Sequence, residues 1–135
     1  MGEIDAEKRT YLGWVAAVQR HAQSILRPGM TLQNWQDTVA EYIREGLRRL
    51  GLLSKDDPPN AYKRYFPHGL GHFLGLDVHD VGYRHEPLEP GMIVTCEPGI
   101  YIPEKGVGIR IENDLLITEK GCENLSAILP DLLGV

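Results

Sequence analysis

Three of the chain's five histidines, His68, His72 and His79, fall in the stretch "HGLGHFLGLDVHD", among glycines and aliphatic residues. Two glutamates follow: Glu97 closes the apolar run "MIVTCEPG", and Glu112 lies in "GIRIEN". Pro98 holds Glu97 in extended backbone and stops a strand there. The two-residue period of a strand puts Arg110 and Glu112 on one face and Ile109 and Ile111 on the other. If Glu97 and Glu112 lie on adjacent strands with oxygens about 4 Å apart, their repulsion is about 4 kcal/mol at an effective dielectric of about 20. Something positive must then lie between them, or one of them must bind a proton. Arg110 is one candidate counter-charge and a metal ion is the other. Imidazole with carboxylates suits Mn, Fe, Co or Zn, and hard oxygen donors with a single imidazole favour manganese. Taken one at a time, each residue also has an ordinary explanation. A histidine in an apolar run can be a hydrogen-bonded core residue, and a strand-end glutamate beside an arginine can be a plain salt bridge.

The elements that must position these residues read in two styles. From Asp5 to Leu26, the residues Tyr11, Leu12, Val15, Val18, Ala22, Ile25 and Leu26 recur at helical spacing behind Asp5 as N-cap. Pro28-Gly29 ends that helix. Thr31 caps a second, with a predicted buried stripe of Trp35, Val39, Tyr42, Ile43, Leu47 and Leu50 and a stop at Gly51. "SKDDPPNAY" reads as a surface loop. Thereafter "FLGLDVHD", "GMIVTCEPGIY" and "GVGIRIENDLLIT" are short β-rich runs, predicted to be three strands of one sheet, with turns at "GYRHEPLEPG" and "IPEKGVG". Helices first and sheet after predicts an α+β fold. His72 and His79 have opposite strand parity, so a bend near Gly71 or Gly75 is needed to bring both to one cavity. Leu74, Leu76, Val78, Trp14, Trp35, Met92 and Cys96 are predicted core, and His85 a surface turn residue.

Composition narrows the class. A chain of 135 residues is enough for one domain with its own core. Net charge is -5, with the basic residues scattered apart from "REGLRR", which argues against nucleic acid as a partner. Cys96 and Cys122 fit no disulfide or zinc spacing, so a reducing, cytoplasmic setting is expected. No apolar run approaches the roughly 20 residues that span a bilayer, and no membrane partner is expected.

In their order and compact spacing, "HGLGHFLGLDVHD", "LEPGMIVTCEPGIY" and "GIRIEND" resemble the C-terminal half of the proline-specific metallopeptidases of pita-bread fold, Xaa-Pro aminopeptidase and Xaa-Pro dipeptidase. The two helices with "LRPGMTL" between them are similar as well, so the likeness covers essentially the whole chain. The resemblance implies two divalent ions, Mn first with Co or Zn as alternatives, and a peptide substrate with proline second. It implies His72, Glu97 and Glu112 as metal ligands, with Glu97 also relaying a proton. His79 would contact the substrate and steady the tetrahedral intermediate, and His68 would line the substrate pocket. Arg110 would orient a metal-binding carboxylate. The short turn after "YKRYFPHGLGHFLGLDVHDVG" favours the aminopeptidase over the dipeptidase.

The same resemblance calls for two further aspartate ligands on strands before the first helix, where this chain has only "MGEI". The expectation is therefore a truncated C-terminal portion of a catalytic domain over residues 1–135, with Met1-Gly2 an added remnant and negligible activity on its own. Unpaired sheet edges make self-association or strand exchange between copies an expected partner mode. The alternative of another class is a non-catalytic pita-bread module that binds peptides or proteins.

Overall fold

A computed structural model describes residues 4–128. The expectation about Met1-Gly2 lies outside the described residues. Helix α1 spans Ala6–Ile25, and the Asp5 carboxylate accepts the Lys8 amide at 2.8 Å, the cap its position implied. Helix α2 spans Leu32–Arg49, capped by the Thr31 hydroxyl accepting from Asn34 N at 3.0 Å. Trp35 is fully buried, and its indole N–H donates to the Ala22 carbonyl at 2.9 Å, tying α2 to α1. The buried stripe of α2 is narrower than expected. Tyr42 is exposed and stacks on His21 at the rim, with ring centroids 4.2 Å apart, because the core face runs Trp35, Val39, Ile43, Leu47 at a step of four.

The expected single sheet is two. Strand β1 (Ile93–Cys96) pairs antiparallel with β4 (Asn113–Ile117), which pairs in turn with β5 (Cys122–Asn124). Strands β2 (Gly99–Ile102) and β3 (Val107–Arg110) form a separate antiparallel hairpin. Each long β-run of the sequence thus splits, one at Glu97-Pro98 and the other at Ile111-Glu112. Pro98 has no N–H to give to a ladder, which accounts for the first break. The register does not change across it: Cys96 faces Asn113 before the break and Gly99 faces Arg110 after it. Glu97 and Glu112 are therefore opposite one another in the gap between the sheets.

"FLGLDVHD" is not a strand. It contributes one isolated bridge, Phe73 to Val94, and then leaves the sheet. Leu76 and Val78, expected in the core, are exposed, and Leu74 is only half-buried. The cause is a local turn, in which Gly75 N donates to the Asp77 carbonyl and Leu76 N to the Asp80 carboxylate. The "SKDDPPNAY" loop is exposed as expected and ends in a 3-10 turn, Ala61–Arg64, that buries Tyr62.

One cluster of buried side chains joins both helices to both sheets, with Val15, Val18, Trp35, Leu47, Val94, Ile100 and Leu115 all at 0 % exposure. Trp14 and Met92 only border it, while Cys96 is fully buried within it. At the outer edge, Lys105 in the turn after β2 bonds Glu7 on α1, a contact that pushes the ammonium up to about 12 and clips the hairpin to the helix.

Candidate metal centre

The gap between the two sheets sets out a row of polar side chains. Glu97, whose side chain is 14 % exposed, has an Arg110 nitrogen 3.6 Å from one carboxylate oxygen and His72 Nε2 3.5 Å from the other. The other terminal nitrogen of Arg110 lies 3.7 Å from Glu112, so a single guanidinium spans both glutamates. Like charges directly opposite on a ladder destabilise it, and Arg110 is the counter-charge at this position. Its face-sharing with Glu112, predicted from strand parity, is realised in that contact.

His72 reaches the row because its backbone lies against β1. Thr95 N donates to the His72 carbonyl at 2.9 Å, and Leu74 N to that of Ile93 at 3.0 Å. A Cβ on Gly71 would come within 2.0 Å of the Thr95 carbonyl oxygen, so only glycine admits this approach. The turn that begins at Gly75 then folds the chain back, and the rings of His72 and His79 come to 4.3 Å between centroids. The bend required by their opposite parity is present. His79 itself is exposed, and so is His85.

The hydrogen bonds of the rings fix their orientation. His72 Nδ1 is 2.8 Å from the Phe73 carbonyl, which can only accept, so Nδ1 donates there and Nε2 is the ring nitrogen turned towards Glu97. Nε2 is thereby the ring atom presented to a cation. His68 differs. Its Nδ1 donates to the Gly69 carbonyl at 2.8 Å, and its Nε2 meets the Tyr101 hydroxyl at 2.9 Å. It belongs to a Phe66–His68–Tyr101 group of edge-on rings beside the row.

Three contributors were not singled out from sequence. Thr95, 1 % exposed, places its hydroxyl between the His72 amide and the Glu97 carboxylate. Tyr101 holds His68. The side-chain carbonyl of Gln36, on α2, accepts from Leu70 N at 3.3 Å and from Arg84 at 2.7 Å, anchoring both ends of the histidine segment. The one sequence signal for Thr95 was a hydroxyl inside the apolar run "IVTC", which must find a partner when buried. Burial pushes the Cys96 thiol far above its ordinary value, so it is no nucleophile.

Among the described residues, no three His, Cys, Asp or Glu side chains lie close enough together to hold a metal ion. His72 and Glu97 fit a divalent cation by donor type, ring orientation and contact, whereas Glu112 joins them through Arg110. A groove of about 520 Å³ has Phe73, Asp80, Tyr83 and Met92 in its lining and none of the site residues.

Two helices packed on a broken antiparallel sheet are the α+β architecture of the pita-bread metallopeptidases, and here a His-Glu-Arg-Glu row lies in the break. The solved structure described as Zn-substituted E. coli aminopeptidase P in complex with product matches 93% of this chain and 32% of its own, with TM-score 0.83 and 39% identity. The chain is 40% identical to the Xaa-Pro aminopeptidase of Haemophilus influenzae over 145 aligned positions, covering 96% of this chain and 34% of that protein. It is 46% identical to that of Escherichia coli over 119 positions, 76% of this chain and 27% of the relative. The model of metallopeptidase family M24 matches residues 1–119, and the chain belongs to that family. It spans about a third or less of the length of these relatives.

Proposed function

We propose that this chain is the metal-binding region of a Xaa-Pro aminopeptidase, acting on peptides with proline second and releasing the residue before it. The observation that carries the reading is the row itself: His72 with its Nε2 3.5 Å from Glu97, and Glu97 opposite Glu112 across the sheet break. In this reading His72, Glu97 and Glu112 hold a divalent ion, manganese first given the oxygen-rich donors. When bound, the ion activates water and polarises the scissile carbonyl. Arg110 orients the two carboxylates, Glu97 relays a proton, and exposed His79 faces the substrate carbonyl. His68, held by Tyr101, lines the pocket as a donor or acceptor of fixed orientation.

The described residues bring only His72 and Glu97 into direct contact. The 135-residue chain alone is therefore expected to show negligible peptidase activity, with further ligands supplied by other polypeptide. The free cysteines support a reducing, cytoplasmic setting. Self-association belongs to the same reading, supported by the exposed apolar residues Leu76, Val78, Val81 and Tyr83.

The test is hydrolysis by the natural full-length gene product, with Mn(II), Co(II) or Zn(II), of Xaa-Pro-Yaa peptides against Xaa-Pro dipeptides. Tripeptide cleavage that falls to background in His72→Ala and Glu97→Gln supports the proposal. Preference for dipeptides makes the protein a dipeptidase. Peptide binding without cleavage of either makes it a binding module.

A further inference from the structure

Among the described residues, Thr95 is one of two polar residues in the otherwise apolar buried set, and both its amide and its hydroxyl are turned towards His72 or Glu97. Its amide donates to the His72 carbonyl at 2.9 Å, and its hydroxyl oxygen accepts the His72 amide at 3.0 Å, so residues 72 and 95 grip each other in both directions. The same hydroxyl lies 3.3 Å from Glu97 Oε1, the oxygen that faces His72 Nε2. The His72 amide can only donate, so the hydroxyl proton is left free to go to the carboxylate. Thr95 and Glu97 share a side of the strand by its two-residue period, which brings the hydroxyl under the carboxylate.

We infer that Thr95 is a positioning residue for the candidate metal centre: its hydroxyl couples the backbone of His72 to the carboxylate of Glu97 and sets the two groups relative to each other. The inference rests on the reading of His72 and Glu97 as ligands. A merely structural hydroxyl would need one partner to offset its burial, and this one joins the two groups that carry the chemistry. Valine has the same shape and removes only the hydroxyl, leaving the His72 amide unpartnered and Glu97 Oε1 with His72 Nε2 but no hydroxyl donor. The backbone bond from Thr95 N to the His72 carbonyl survives that change, so the segment stays docked on β1.

The experiment compares the wild-type 135-residue chain with Thr95→Val, Thr95→Ser, His72→Ala and Glu97→Gln. Two readouts are taken: calorimetric affinity for Mn(II) and Co(II), and amide hydrogen exchange of the metal-free protein. Thr95→Val is expected to weaken metal binding about 10- to 100-fold and to speed exchange of the His72 amide while leaving the amides of β4 as they were. Thr95→Ser, which keeps the hydroxyl, is expected to preserve both. Unchanged affinity in Thr95→Val where His72→Ala and Glu97→Gln lose it overturns the inference, and so does a His72 amide that stays as protected as in the wild type. If the wild type binds neither ion, or His72→Ala and Glu97→Gln bind like it, the ligand reading fails on its own, and amide exchange decides the role of Thr95.

Discussion

Arg110 stands between two glutamates at half-exposure, and its worth to the fold and to a bound ion are separable. Its ion pairs are half-exposed, but its loss leaves Glu97 and Glu112 opposed without a counter-charge, so Arg110→Ala is expected to lower stability by about 1–3 kcal/mol in urea unfolding. Its fork sets the angle of both carboxylates, so metal affinity is expected to fall about 10-fold or more. Arg110→Lys restores the charge without the fork and is expected to recover stability but not affinity. Full recovery of affinity by lysine in a calorimetric titration would refute an orienting role. At this scale the sequence was informative because charge and parity are local. If Glu97 and Glu112 lay on adjacent strands, their repulsion called for a positive group or a bound proton, and strand parity set Arg110 beside Glu112. The hydroxyl of Thr95 and the phenol of Tyr101 escaped notice, since neither has chemistry of its own until the fold sets it against a histidine.

The histidine segment reaches the site by lying flat on β1, and Gly71 is the residue that permits it. Gly71→Ala forces a methyl against the Thr95 carbonyl. The expected cost is about 1–3 kcal/mol, the usual penalty for overpacking, read as a lowered urea midpoint. Local amides of residues 72–74 are expected to exchange faster as the pairing opens, and a variant as stable as the wild type would show that the approach is not tight. The helices were legible to within a residue, because capping side chains and a step of three or four are properties of neighbouring positions. The strands were not. "FLGLDVHD" has the composition of a strand but is diverted by the turn at Gly75, and two long β-runs were divided by breaks that only their mutual pairing reveals.

The whole molecule carries one buried cluster under both helices and both sheets, yet it leaves Leu76, Val78, Val81 and Tyr83 in solvent on a single loop. Burial of such a patch is worth about 25 cal/mol per Å² of apolar area, so the chain is expected to associate through it. Sedimentation velocity should show mass rising with concentration, and Leu76→Asp with Val81→Asp should abolish the rise; a monomer at every concentration would refute it. From the sequence alone came the α+β order, both helix caps, the family wording of the three motifs, and the conflict that would arise between two glutamates set on adjacent strands. These follow from interactions between residues near one another in the chain. How Glu97 comes to face Glu112 across a break with unchanged register, how Arg110 reaches both, and why an aliphatic loop is exposed depend on pairing over long sequence separation, where the choice rests on what every other segment leaves unpaired.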